Sequence, residues 1–460
     1  MRIESKRYRI SITEKQQGGP AGYESVYLTS EGNPANNDLY EVLSGYQGES
    51  LPVETRVIRQ RNGDGLSSAL AEGMPVGIAS GFKPSGAYHF GHKLTSETVS
   101  FFQKNGAQVF VPVADIECSM DARLPKEHYD FWAADNLLDW GANGVNLDAA
   151  HVYLQSEEFR VNTLSYMVAR GMTFNLAADI YGAKKLINDF PFLFAGITQV
   201  GDILLPQHMD FSNYHSFMVS GQDQDGHMKM TVALTQAALD NGQEILGVKT
   251  VPSGFYIPHI RGIGGEKASS SRPEGTLYLG SGPEGQDLEG RIKTSLKKID
   301  EAQKEHLDRC ALDMVRYIRF FNNRSVVLFQ EVCSEPEYNR LDDLLENALT
   351  RNDQLAAREM MDQYLINRCR DQNQDNVAIL RDSLPEALTE HQRRRREVLE
   401  YAKAKTNGEL TVFGGWSLDE PTSQPPSFWQ TPENSFVDKG KRTPTQWFHI
   451  VEKATEQINP

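Results

Sequence analysis

Residues 75–115 read PVGIASGFKPSGAYHFGHKLTSETVSFFQKNGAQVFVPVAD, and this stretch decides the fold. An apolar run, Val76 to Ala79, predicts a strand. A glycine-rich polar loop, Ser80 to Gly91, follows it. Helical spacing runs from about Lys93 to Lys104, and a second apolar run, Val109 to Ala114, predicts the next strand. Strand, loop, helix, strand is the βαβ unit of a doubly wound α/β sheet. Inside the loop stands HFGH, residues 89–92. A helix start after a first strand brings free N–H groups and partial positive charge to bear on phosphate. His89 and His92 can donate hydrogen bonds to phosphate oxygens, more strongly as charge builds in a displacement. Gly91 permits close approach of backbone or base.

Working outward, 460 residues predict about three domains and ample core. Hydrophobic content of 39% and charged content of 24% are ordinary for a globular chain. The start, MRIESKRYRI, is polar, and no apolar run has membrane-spanning length. No membrane partner and a cytoplasmic location are expected. Cys118, Cys310, Cys333 and Cys369 are too scattered to suggest zinc or a disulfide framework. A formal charge of −15 argues against indiscriminate nucleic-acid binding, but not against a local basic face meeting one nucleic acid.

Residues 1–73 predict an appended segment, with possible strands at 8–12 and 23–28 and a short helix near Ala69. A domain of doubly wound type is expected over 74–287, with an insertion around 120–190. Within that insertion, 126–141 and 157–170 have helical spacing and His151–Leu154 reads as a short strand. Ala195–Pro206 predicts a helix with Gln199 and Asp202 on one face, three residues apart. Ser216–Ser220 predicts a strand ending in GQDQDGH, residues 221–227, before a helix at 228–238. Polar residues at a strand's C-terminal end are where open α/β sheets bind ligands. Residues 261–271, RGIGGEKASSS, combine flexible glycines, one lysine and three hydroxyls, as a mobile phosphate lid would.

From Leu288 onward the pattern is helical, and 288–403 predicts a separate helical domain. Lys293, Lys297, Lys298 and the run Arg393–Arg396 stud it, which is compatible with a solvated face or with a surface contacting RNA. Residues 404–460 predict a loosely structured tail with one closing helix at 445–456.

HFGH at 89–92, GQDQDGH at 221–227 and KASSS at 267–271 stand in an order that resembles the class I aminoacyl-tRNA synthetases, and within them the tryptophanyl branch of archaeal type. The resemblance covers about Val76 to Leu279 and runs more loosely through the helical half, which it makes an anticodon-binding domain with its terminal helix near Glu390. It implies a Rossmann-like catalytic domain and formation of tryptophanyl-adenylate from L-tryptophan and ATP. Transfer to tRNA(Trp) would follow, with Mg²⁺ shared with the phosphates, no protein metal site, and a homodimer. On the matching positions it implies His89, His92 and Lys267 as catalytic. Ser80, Gly81, Gly91, Ser269, Ser270 and Ser271 would bind ATP, and Gln199, Asp202, Gln222 and Gln224 the amino acid. The chain departs from the family pattern at Ala268 and Ser270 of KASSS, and around the DQD core at Gln222 and Gly226. The tyrosyl branch usually has a tyrosine where this chain has Ala79. Indole brings one N–H donor and needs an acceptor; phenol needs an acceptor and tolerates a donor. A tyrosyl enzyme, and a paralogue activating an aromatic amino acid outside translation, stay open as alternatives.

Overall fold

A computed structural model describes residues 59–311, apart from 122–123, 212–214, 258, 271, 281–287, 304–306 and 308–309. It also describes 376–405 and the short strands 411–412 and 416–417. The strands expected at 8–12 and 23–28, most of the central helical stretch, the closing helix at 445–456 and Ser271 lie outside the described residues.

Six strands build one sheet: β1 (Arg59–Arg61), β2 (Val76–Ala79), β3 (Gln108–Val113), β4 (His151–Leu154), β5 (His215–Gly221) and β6 (Ser253–Ile257). Their spatial order is β1-β6-β5-β2-β3-β4. Neighbours run parallel except β1, which lies antiparallel on β6. Ile78 faces Val109 on one side and Phe217 on the other. Strands β2, β4 and β6 are buried along their whole length. Such continuous apolar runs belong to a sheet covered on both faces.

Helix α1 (Gly63–Ala71) follows β1, and α2 (Phe90–Lys104) joins β2 to β3. After β3 come the short α3 (Asp115–Ser119), then α4 (Lys126–Ala142), which leads to β4. Four helices follow β4: α5 (Phe159–Ala169), α6 (Phe174–Tyr181), α7 (Ala183–Asn188) and α8 (Pro191–Leu204). Helix α9 (Asp225–Asp240) joins β5 to β6, and α10 (Leu288–Glu301) and α11 (Asn376–Lys405) close the described chain. From β2 the chain winds outward through β3 to β4, then returns beside β2 as β5 and winds the other way. The crevice outside the C-terminal ends of β2 and β5 is therefore the topological switch point.

Three expectations are corrected. The segment 120–190 is not one insertion: β4 lies within it and belongs to the sheet, so α4 is an ordinary crossover and the added helices begin at Phe159. Residues 59–71, expected in the appendage, supply the sheet edge and a packed helix. Arg61 on β1 pairs with Asp225 at 2.8 Å, and Asp225 also accepts from Tyr256 Oη at 2.7 Å. Helix α8 begins at Pro191 rather than Ala195, because proline suits a first helical position that lacks an N–H partner anyway.

Helix α11 is tied to α4 by apolar contacts of Leu380, Leu384, Leu388 and Leu399 in the main core and by a buried charge cluster. Arg395, only 3% exposed, donates to Asp139 at 2.8 Å and to Asp135, and His391 bonds Asp139 at 2.6 Å. Arg393 and Arg394 instead pair with Glu390 on the surface, and Arg393 also with Glu397. The arginine run is thus divided by helical period: Arg395 faces inward, and Arg393 and Arg394 are held by their own helix's carboxylates. Arg395→Met leaves two buried carboxylates without their cation. Truncating one partner of such a cluster costs about 3–5 kcal/mol. Denaturant melts of the variant are expected to show that loss, whereas Arg393→Met, on the exposed face, leaves the midpoint unchanged.

Candidate active site

A cavity of about 370 Å³ opens at the switch point. Its walls come from the β2–α2 loop, the ends of β3 and β5, helix α8 and the 259–270 loop. Both histidines, Lys267, Ser80, Gly81, Gly91, Ser269, Ser270, Gln199, Asp202 and Gln224 line it. Segments 130 or more residues apart in sequence therefore meet in one place. Gln222 does not reach the cavity wall. It opens the 3₁₀ turn Gln222–Gln224, and that turn sends Asp223 and Gln224 to the cavity instead.

His89 caps α2: its Nδ1 accepts the Gly91 N–H at 3.1 Å. An accepting Nδ1 carries no proton, so neutral His89 presents Nε2–H as a donor. Its ring stacks on His92, centroids 3.8 Å apart. Burial, then the neighbouring His92 and the Lys267 charge, push His89 well below the ordinary imidazole value. Burial and Lys267 bring His92 down to about 4. Both rings are neutral donors at physiological pH, and His92 Nδ1 is buried without a hydrogen-bond partner.

The two glycines serve packing within the protein. A Cβ on Gly91 would stand 2.9 Å from the His89 ring, and one on Gly81 would stand 1.8 Å from the Pro112 carbonyl oxygen. Glycine at 81 lets the loop lie against β3; glycine at 91 lets the imidazole fold over the helix start. Ser80 Oγ donates to Val219 O at 2.7 Å and ties β2 to β5.

Lys267 is half-exposed and pairs with Asp223 at 2.6 Å. Burial alone would raise the Asp223 carboxyl, but Lys267 and His259 beside it hold it below its usual value. Ser269 is held through Thr276: its N–H donates to Thr276 Oγ1 at 3.1 Å, which donates back to Ser269 O at 2.9 Å. Ser270 Oγ donates to Ala87 O at 3.2 Å, so the serine loop touches the histidine loop directly.

At the other end of the cavity Gln199 Nε2 donates to Gln224 Oε1 at 3.1 Å. Asp202 is buried and accepts from Tyr153 Oη at 2.9 Å and from Gln155 Nε2 at 2.6 Å. Burial raises its carboxyl to about 7 despite both bonds. Gln155 also lines the cavity, and its buried Oε1 accepts no hydrogen bond.

Gln155, Asp223, Glu117, Lys83 and His259 are cavity residues absent from the sequence expectation. A signal existed for two of them. Gln155 directly follows the four-residue strand β4, and Asp223 lies between two glutamines already singled out. Glu117 and Lys83, paired at 3.2 Å, come from a short helix and a loop with no motif. Of the GQDQDGH residues, Asp225 serves the sheet edge through Arg61, and His227 accepts or donates a bond with Tyr181 Oη at 2.9 Å. Among the described residues no group of three or more His, Cys, Asp or Glu side chains could hold a metal ion.

The family model "tRNA synthetases class I (W and Y)" matches residues 72–363, more than half of the chain. The chain belongs to that family. A Tryptophan--tRNA ligase from Hyperthermus butylicus is 31% identical to this synthetase over 230 residues, covering 48% of this chain and 58% of that one. The synthetase thus spans about three fifths of the length of the curated relatives it matches. The crystal structure of tryptophanyl-tRNA synthetase from Aeropyrum pernix K1 superposes with a TM-score of 0.55 at 23% identity, covering 79% of this chain and 90% of that chain. Tyrosyl-tRNA synthetase from Aeropyrum pernix superposes with 0.54 at 18% identity, covering 81% and 98%. These superpositions show a shared fold and do not separate the two amino acids.

Asp202 gives the site a measurable pH signature. Its carboxyl is protonated below about 7 and ionised above it. A ligand offering a hydrogen-bond donor favours the ionised form, so affinity for such a ligand rises as pH rises through about 7. Isothermal titration across pH 5.5–8.5 is expected to show this inflection, and Asp202→Asn to remove it.

Proposed function

We propose that this synthetase activates L-tryptophan with ATP to tryptophanyl-adenylate and then charges tRNA(Trp). One observation carries the reading: a donor pair of neutral imidazoles, a lysine on a glycine-rich loop and an acceptor-lined recess share one cavity at the switch point. The curated relatives named tryptophan--tRNA ligases support the same reading.

In the first step a carboxylate oxygen of the amino acid attacks the α-phosphorus of ATP. The bond from that phosphorus to the bridging oxygen breaks, and pyrophosphate leaves with the electron pair. The protein supplies position and charge complementarity, with little covalent work of its own. His89 and His92 would bond the phosphate oxygens as negative charge grows there. Lys267 would leave Asp223 to follow the β- and γ-phosphates, and the backbone and hydroxyls of Ser269 and Ser270 would lie alongside. Mg²⁺ would travel with the phosphates; the described residues offer it no cage, and no step here runs through it. Glu117, at the cavity wall, can take the substrate ammonium by leaving Lys83. The unaccepted Gln155 Oε1 and the Asp202 carboxylate would receive a side-chain donor. In the second step a hydroxyl of the tRNA terminal adenosine attacks the adenylate carbonyl, the bond from that carbon to the phosphate oxygen breaks, AMP leaves with the electron pair, and the hydroxyl proton passes to a phosphate oxygen or solvent. The helical half, 288–403, would hold the anticodon, and the enzyme would act in the cytoplasm. Among the described residues no helix is long and apolar enough to cross a membrane.

A tyrosyl enzyme is the second reading, because Asp202 and Gln155 suit a phenol hydroxyl as well as an indole N–H. Amino-acid-dependent pyrophosphate exchange with each of the two amino acids decides between them; tryptophan is expected to support the faster exchange. Exchange supported by tryptophan with no charging of total tRNA would point to a paralogue outside translation. His92→Ala is expected to slow exchange about a hundredfold, the usual loss on removing one transition-state donor.

A homodimer is supported by the helices that follow β4. Tyr166 on α5, Ile187 on α7, and Phe190 and Phe194 at and within α8 are all more than half exposed. Exposed apolar groups at this density mark interfaces. Light scattering after gel filtration is expected to give twice the chain mass, and Ile187→Glu with Phe190→Glu to give the chain mass alone.

A further inference from the structure

Residues 276–280 hold both signature loops at once. The N–H groups of Leu279 and Gly280 donate to Tyr88 O at 2.9 and 3.2 Å, and Tyr278 bridges the backbone of His89. The same segment grips the serine loop through Thr276 on Ser269 and through Tyr278 Oη on Ser270 O at 3.4 Å. Lys298 Nζ donates to Thr276 O at 3.2 Å at one end of the segment, and Arg291 grips the other. Arg291, on α10, donates from Nη1 to Leu279 O at 3.2 Å and to Gly280 O at 2.6 Å. Its Nη2 donates to Gln392 Oε1, on α11, at 2.9 Å. Both side chains are buried.

We propose that Arg291 and Gln392 are positioning residues that set the spacing between the histidine loop and the Lys267 loop, so that the C-terminal helix takes part in adenylate formation without touching a substrate. A planar guanidinium binding two carbonyls fixes direction as well as distance. Gln392 supplies the acceptor that aims the fork. With that acceptor gone, Arg291 loses the bond that orients its guanidinium from the α11 side, and Gly280, Tyr88 and then His89 are held less tightly in place. The route runs from Gln392 to Tyr88 in three hydrogen-bonded steps, and His89 is the next residue of the chain. A second contact runs parallel to it: the His391 ring lies over Tyr88, interplanar angle 8°, and Tyr88 packs against His92.

The inference rests on the proposed activity for its kinetic readout and on hydrogen exchange for a readout that needs no substrate. Gln392→Met keeps shape and loses the acceptor; Gln392→Glu keeps an acceptor. In Gln392→Met, kcat for pyrophosphate exchange is expected to fall about tenfold or more while KM for ATP and for the amino acid stays within about threefold, since loops displaced by under 1 Å lose rate before affinity. Gln392→Glu restores the rate. In the free protein, the amides of Leu279 and Gly280 exchange at least about tenfold faster in Gln392→Met, with the β4 amides unchanged, because these two are the amides the clamp protects. Where Gln392→Met does not fold, Arg291→Lys is measured in the same way, with the same rate loss and exchange pattern expected. Wild-type exchange rates at Leu279 and Gly280, or a kcat that falls equally in the Met and Glu variants, overturns the proposal. Faster amide exchange in a protein whose wild type activates no amino acid overturns the function and leaves the clamp standing.

Discussion

The parallel pairing of β2 with β5 is the contact on which the site depends. Ile78 sits opposite Phe217, and Ser80 Oγ seals the far end by donating to Val219 O. Two strands separated by 135 residues of chain thereby end side by side. Each hands its chain to a helix start, α2 after one loop and α9 after one 3₁₀ turn. The polar residues that follow the two strands have nowhere else to point than the crevice between them. A shift of one residue in this register would carry Ile78 to the opposite face, where Gly77 leaves no room beside Pro206, and carry the histidine loop with it.

Electrostatics beside the histidines then follow from burial and from Lys267. Lys267 depresses both imidazoles and, with His259, holds Asp223 ionised. The lysine is neutralised by Asp223 in the free protein, so the phosphate end of the cavity waits as a cation on a removable partner beside two uncharged donors. On the proposed function, a triphosphate would replace that partner and meet donors that need no deprotonation. The opposite end is set up in the reverse sense: Asp202 is raised to about 7 and surrounded by groups that donate to it. One end of the cavity thus favours anions, and the other favours hydrogen-bond donors.

The fold was legible because its signals are local. Val76–Ala79, HFGH and Val109–Ala114 announce strand, loop and strand within forty residues, and the sheet confirms all three within two residues of the expected bounds. That His89, His92 and Lys267 would share one cavity was legible for the same reason, as each lies in a motif of its own. The amino-acid side was less so. Gln155 and Asp202 are 47 residues apart and meet only because α8 packs behind β4, a tertiary fact with no periodic trace. Gln222 was drawn to the site by its neighbours' motif, although a 3₁₀ turn rotates it away. The role of Arg395 was hidden by composition: four consecutive arginines look like one surface, and helical period distributes them to different faces. Edge strand β1 was unreadable at three residues, since it is defined by Arg61 finding Asp225 across 164 positions.

The deep end of the cavity carries the remaining question of specificity, and its physics narrows the answer. Ionised Asp202 draws two donors, so the Gln155 amide nitrogen is committed and its oxygen is left as an acceptor. A buried acceptor left without a donor disfavours any ligand that buries it without supplying one, which is how a site rejects a side chain that merely lacks a polar atom. On the proposed function, phenylalanine would be disfavoured on these terms, while indole and phenol would both meet the hydrogen-bonding demand, so the choice between them would fall to shape. Ala79 lines the cavity at the end of β2 where a larger side chain would narrow it, and a small residue there leaves room for the second ring of an indole.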